Sequence, residues 1–236
     1  MRLFDKLTGL RRALGWYNTV LYLLDHGAGR FGVPLRARRY YFVAQPVQGP
    51  TLPARRGRGL HVETFDKPSP QLAQLPLTEE VIRYRFDQRA TCFCVFRDDS
   101  VAGCLWLCPG DYAEDEVSAV YRPLPEKATV WDFDVYVDPS QRGALVFPKL
   151  WDEANAFLRA RGVRWSVSRI SAFNDASLAA HRRLGARIVG TATFLRLGPL
   201  QVASCSLGPR VHFAAVRSQG PLIRVPVEGP DGVADR

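Results

Sequence analysis

From Val130 to Gly190 the chain passes through strand, glycine turn, helix, strand and helix in close succession, and this alternation limits the folds open to it more than any other feature. Val130 to Val137 reads as an apolar strand. The helix expected from Leu145 to Arg161 carries Leu150, Ala154, Phe157 and Leu158 on one face, as a helix laid on a sheet does. Pro148 falls in its first turn, where a missing amide costs little, and Gly162 ends it. Val163 to Ile170 is the next expected strand, followed by a helix capped by Asn174 or Asp175 and closed by Gly185, and then by a long strand from Ala186 to Leu197. Arg142-Gly143 stands between the first strand and the first helix, where backbone amides point at an anion.

Upstream, Leu3, Phe4, Leu7, Leu10 and Leu14 recur at helical spacing among Arg2, Lys6, Arg11 and Arg12. Met1 to Leu24 therefore reads as a basic amphipathic helix, either packed on the domain or laid on a membrane surface as a peripheral contact. Thr19 to Leu24 is too short to span a bilayer, and Gly15 and Asn18 interrupt the apolar run that a cleaved signal peptide needs. Tyr40 to Val47 reads as a strand, Gln48 to Gly59 as an exposed linker, and Leu60 to Phe65 as the first strand of the core. Thr78 offers an N-cap to a helix through about Gln88, with Glu79 and Glu80 in its first turn.

Thr91 to Phe96 and Val101 to Leu107 flank Arg97-Asp98-Asp99-Ser100, a hairpin signal. Asp111 to Glu116 is acidic and reads as a loop or edge hairpin over the substrate side, its carboxylates either solvated or attracting a cationic amine. Val211 to Val216 is expected beside the long strand, and the tail from Gly220 is expected to be loosely ordered. The pattern as a whole predicts a mixed α/β sheet, with an N-terminal extension over residues 1–59, a core over 60–217 and a tail over 218–236.

A chain of 236 residues with 47% hydrophobic residues can bury one sizeable core. Its formal charge of +9 rests on 28 Arg and 4 Lys and attracts polyanions in general, nucleic acids and anionic lipid surfaces included. No Lys/Arg run interleaved with aromatics forms a nucleic-acid module, so nucleic acid is not expected as a partner. The five cysteines, Cys92, Cys94, Cys104, Cys108 and Cys205, are odd in number and contain no C-x-x-C pair. This argues against a disulfide framework and a zinc site, and for small apolar packing in a reduced, cytoplasmic protein without a metal.

The same stretch resembles the GNAT superfamily of acyl-CoA-dependent N-acyltransferases. In that family a strand ending in V-x-P leads into an R-G-x-G-x-G/A turn, and here Val135-Tyr136-Val137-Asp138-Pro139 leads into Gln141-Arg142-Gly143-Ala144-Leu145-Val146-Phe147. Leu145 and Phe147 stand where the second and third small residues are expected. Downstream, the pattern N-x-x-A-x-x-x-Y-x-x-x-G-F is met by Asn174, Ser177, His181, Gly185 and Ala186. The resemblance implies a GNAT-like fold, with the amides from Gln141 to Phe147 holding the pyrophosphate of acetyl-CoA or another acyl-CoA. It also implies that Val135 and Val137 lie on a splayed strand that bonds the pantetheine arm, and that Asn174 positions the cofactor or caps its helix.

Acyl transfer from a thioester to an amine needs a neutral amine, a donor to the oxyanion and a proton source for the thiolate. Asp132 and Asp134 alternate with Trp131, Phe133 and Val135, so both carboxylates are expected on one face, where repulsion raises each other's pKa. Asp134, which aligns with a position often acidic in the family, is the first candidate base and Asp132 the second; pairing with arginines or loop amides is the structural alternative. His181, where many relatives carry a Tyr, is a candidate acid if its imidazole keeps an ordinary pKa. Three function classes follow. The chain is an N-acyltransferase acting on a primary amine of a small molecule or protein, as monomer or homodimer; or an acyl-CoA-binding protein without turnover; or a membrane-peripheral enzyme using a longer acyl donor.

Overall fold

The structure is a computed structural model that describes residues 3–53, 56–57, 59–143, 145–215 and 220–227; for residues 3–10, 12, 13 and 29 it describes the backbone alone. In chain order, the N-terminal half forms α1 (Leu3–Arg30), β1 (Leu35–Pro46), β2 (Leu60–Phe65), α2 (Glu79–Asp87), β3 (Thr91–Arg97), β4 (Ser100–Cys108), β5 (Tyr112–Ala113) and β6 (Val120–Leu124). The remainder forms β7 (Thr129–Val137), α3 (Val146–Arg159), β8 (Trp165–Ser171), α4 (Asp175–Arg183), β9 (Arg187–Leu197), β10 (Leu200–Cys205), β11 (Val211–Ala215) and β12 (Leu222–Pro226). Helices and strands are mixed throughout, as the apolar periods require.

Contacts divide the chain into two compact units. The first comprises Met1–Gln45, Ala113–Arg122 and Val167–Arg236, and the second Pro46–Tyr112 and Pro123–Ser166. This division cuts across the expected extension, core and tail. β1 was read as a strand preceding the core, yet it pairs antiparallel with β9 from Leu35↔Leu197 to Ala44↔Arg187. Its buried Tyr40, Phe42, Val43 and Ala44 explain why: a strand with this much apolar surface needs a sheet on which to bury it.

In the first unit β10 pairs with both β9 and β11. β10 was not anticipated; Gly198 and Pro199 form its turn, and the expected neighbour of β9, β11, lies one strand further out. α4 packs Leu178 on Val43 and Ile170, with Tyr41 and Ala186 at the rim of that cluster. Part of the expected loose tail forms β12, in a three-stranded sheet with β6 and β5, where Ile223 and Val225 are fully buried.

The second unit orders its strands β7-β4-β3-β2, all antiparallel neighbours. The hairpin of β3 and β4, the Thr78 cap of α2, which accepts from the Val81 amide, and the α3 span match the sequence reading. α3 buries Val146, Leu150, Trp151, Ala154 and Leu158. Gly103 on β4 is obligatory for this packing: a Cβ there would lie 2.6 Å from the Tyr136 carbonyl oxygen and 2.9 Å from Val146. The missing side chain lets β7 and the first residue of α3 close on β4, and so fixes where the turn between them sits.

Candidate active site

The turn begins at Asp138, whose carboxylate accepts from the Ser140 amide at 2.8 Å and the Ser140 hydroxyl at 2.5 Å, while the Tyr136 hydroxyl donates to its other oxygen. The Ser140 bonds hold the Asp138 pKa below the usual carboxylate range. A short 3-10 turn, Pro139–Gln141, follows, and then Arg142, which is exposed. Gly143 (φ 82°) and Leu145 (φ 60°) are both left-handed, and Leu145 is the N-cap of α3 without a side-chain cap bond. That conformation costs a leucine roughly 1 kcal/mol or more and costs glycine little, which is the physical sense of a small residue there. A Cβ at Gly143 would meet nothing within 4 Å, so space is open around it.

The helix itself offers no carbonyl to the amides of its first turn, and its dipole favours an anion at this end. Val146 is buried beneath the turn, and the half-buried ring of Phe147 meets Trp151 edge-on. Ala144 lies outside the described residues.

β7 carries the second feature. Opposite β4 its register slips between Cys104↔Tyr136 and Trp106↔Phe133, a bulge centred on Asp134, whose φ is 51°. Val137 remains paired with Gly103, whereas Val135 falls in the bulge. A bulge re-aims side chains and breaks the strict alternation on which a shared face for Asp132 and Asp134 depended. Asp132 is buried and accepts from the Ser166 hydroxyl at 2.5 Å. Asp134 is exposed and accepts from Arg85 at 2.5 Å. The two carboxylates thus bond to different partners, Ser166 and Arg85.

Arg85 was not anticipated. It comes from the last turn of α2, is buried, and lies over the rings of Trp106 and Phe133 at 5.1 and 5.2 Å. A guanidinium suits this position because its flat faces stack on aromatics while its edge pairs with a carboxylate.

Two expected site residues lie in the first unit. Asn174 caps α4, its side-chain oxygen accepting from the Ser177 amide at 3.0 Å. His181 is buried, with Nδ1 3.0 Å from the Gln45 side-chain oxygen. Burial lowers its pKa from 6.5 to about 4, so the ordinary imidazole expected of a proton donor is not what the fold provides. It ties α4 to β1 as a neutral ring.

The acidic segment also differs from its reading. Glu114 is buried and paired with both Nε and Nη2 of Arg169 at 2.8 and 2.7 Å; Glu116 accepts from Tyr40 at 2.7 Å and lies 3.2 Å from Arg169. Although burial opposes ionisation of Glu114, Arg169 and nearby amides hold its pKa below the ordinary value. These two carboxylates are spent on an internal guanidinium, and the adjoining cavity of about 230 Å³ is lined by Arg36, Arg38 and Arg196 as well as Glu116.

The five cysteines are buried and free, with Cys92 Sγ 3.5 Å from Cys94 Sγ, and burial pushes the Cys108 thiol up to about 12. Inert, protonated thiols fit packing.

A strand with a bulge, a glycine turn and a helix N-terminus on a mixed sheet form the frame of a class of acyl-transfer proteins. The chain belongs to the acetyltransferase (GNAT) family, whose model matches residues 53–186, more than half of its length. Among solved structures it is similar to a tandem GNAT protein from the clavulanic acid biosynthesis pathway, at 15% identity and a TM-score of 0.47, over 78% of this chain and 58% of that one. It is also similar to an aminoglycoside acetyltransferase from an uncultured soil metagenomic sample (14%, TM-score 0.40, 54% and 88% covered) and to an acetyltransferase of Trypanosoma brucei (18%, TM-score 0.40, 54% and 92% covered). The chain thus spans less than two thirds of the length of the first of these. A search of curated proteins found no match.

Proposed function

We propose that the protein is an N-acyltransferase that moves an acyl group, acetyl in the simplest case, from acyl-CoA to a primary amine. The observation that supports this best lies within one unit: the turn from Gln141 to Phe147 leads into the N-terminus of α3 next to a bulge whose exposed carboxylate is fixed by a buried arginine. In this reading the amides of the turn and the Arg142 side chain bind the pyrophosphate, and Val135 and Val137 offer backbone groups to the pantetheine arm. Asp134 takes the proton of the attacking amine, directly or through one water, and Arg85 acts as a positioning residue that holds the carboxylate on the bulge. The amine nitrogen bonds to the acyl carbon, the carbon–sulfur bond breaks, and the thiolate takes up a proton from solvent. His181, neutral and buried, supports α4; Asp132 supports β7 through Ser166.

The test is amine-dependent release of free thiol from acetyl-CoA across a panel of primary amines. Release is expected, with kcat/KM lower by about 100-fold in Asp134→Asn, the usual size of a lost general base. No thiol release with any amine, together with tight acetyl-CoA binding, would support the second reading, a binding protein without turnover, which the bulky Leu145 and Phe147 favour.

A further inference from the structure

From Gly15 onward α1 is turned inside out. The residues it buries are Asn18, Thr19, Leu21 and Asp25, three of them polar. All three polar side chains make hydrogen bonds: Asn18 donates through its amide nitrogen to the Leu14 carbonyl and the Tyr41 hydroxyl, Thr19 to the Gly15 carbonyl, and Asp25 accepts from the Ala37 amide and Arg38. Its exposed apolar residues are Trp16, at 71% exposure, Tyr17, Val20, Leu23 and Leu24, followed beyond the helix by Phe31, at 82%, and Val33; His26 and Arg30 are exposed as well. Spacings of four, seven and eight place Trp16, Val20, Leu23 and Leu24 in one stripe. A helix that only covers its own sheet shows the opposite arrangement.

The apolar surface continues beside the helix. The cation–π contact of Arg39 with Tyr17 and the Asn18–Tyr41 bond place α1 on the side of β1 that carries Arg39 and Tyr41, and therefore Ala37. Ala37 is directly opposite Leu195 and Leu35 opposite Leu197, so β9 presents Leu195 and Leu197 on that same side. The registers of β10 and β11 extend the rows to Leu200, Val202 and Phe213; Leu195, Leu197, Leu200 and Phe213 are exposed, from 39% at Leu195 to 74% at Phe213. Single exposed apolar residues are ordinary, but a stripe adjoining a sheet face is not.

The surrounding charge says what covers it. Residues 26–45 and 176–227, which supply most of β1 and all of β9 to β11, contain no Asp or Glu, with four Arg in the first stretch and seven in the second. Asp25 on α1 is buried against Arg38, whereas Arg11 and Arg30 are exposed on α1. The first unit carries 18 Lys and Arg against 9 Asp and Glu, the second 14 against 14, so the whole formal charge of +9 belongs to the unit that bears this surface. A second copy would match the apolar stripe but would bring two such charges together. A bilayer with anionic headgroups matches both. No helix among the described residues is long and apolar enough to cross a membrane, so α1 would lie in the interface plane.

We propose that the outward side of α1 and the adjoining faces of β9, β10 and β11 dock on an anionic lipid bilayer. The experiment is flotation of the full chain with vesicles of phosphatidylcholine alone or with about one third phosphatidylglycerol. Binding is expected only with the anionic vesicles, falling at high salt, and Leu23→Glu should lower partition about tenfold or more, one buried leucine side chain being lost. Because Leu23 is exposed, its thermal midpoint should not move, and Trp16→Ala provides a second, milder variant. Equal binding to both vesicle types, no binding at low salt, or Leu23→Glu floating like the wild type would overturn the proposal. So would a dimer in sedimentation that Leu23→Glu dissolves while vesicle binding is absent, which would make the occupant a second copy. None of these outcomes bears on acyl-CoA binding.

Discussion

The two units differ most in what they do with charge. The second is formally neutral, 14 basic residues against 14 acidic, and it holds the turn, the bulge and the Arg85–Asp134 pair. The first carries the entire excess, and it also holds an ionic cluster of Glu114 with Arg169, Glu116 and Tyr40. A basic isoelectric point in a CoA-dependent family invites the conclusion that the charge recognises phosphates. Its distribution argues otherwise: in the proposed reading phosphate binding belongs to local amides and Arg142 of the neutral unit, and the net charge to the proposed lipid-facing surface.

If this contrast is right, the first unit should answer to substitution in stability and the second in activity. The largest effect is expected from Arg169→Met, which leaves Glu114 buried without its partner; about 3–5 kcal/mol of unfolding free energy should be lost in urea titration. Thermal scans across pH test His181 next. Its pKa is lowered in the folded state, so its contribution is complete above about 6.5 and is lost as pH falls toward about 4. Roughly 3 kcal/mol at most should disappear over that window, and His181→Leu should show a flatter profile there. If acyl transfer instead fell with His181→Leu while stability held, the contrast would break.

In the second unit, Arg85→Met should reduce kcat/KM about tenfold or more through a displaced Asp134, with a smaller change in the KM for acetyl-CoA. The smallest change is the most diagnostic of the turn: Leu145→Gly relieves a left-handed leucine and admits closer approach of a phosphate. It should tighten acetyl-CoA by about 0.5–1 kcal/mol, roughly two- to fivefold in Kd.

Much of the fold was legible because it depends on local chemistry. Thr78, Asn174, Gly162 and the Arg97–Ser100 hairpin each act within a few residues, and each appears where the sequence placed it. β1, β10 and β12 were misplaced or missed because their partners lie far away in the chain, and nothing local records which edge a strand joins. The site divides in the same way. The turn was readable from Arg142-Gly143 and the apolar run before it, while the bulge at Asp134 was not, since one extra residue in a strand leaves no mark on composition. Arg85 in α2 looked like any surface helix arginine until its aromatic bed was known, and His181 looked titratable until its burial was.

The central claim is that main-chain groups after Gln141, not the net charge, bind acyl-CoA. Calorimetric titration of the full chain with acetyl-CoA, repeated for Arg142→Ala and for Arg36→Ala, tests it most directly. The account predicts saturable one-to-one binding, weakened about tenfold by Arg142→Ala and unchanged by Arg36→Ala. Absence of binding, or an equal loss from the first unit's arginine, would contradict it.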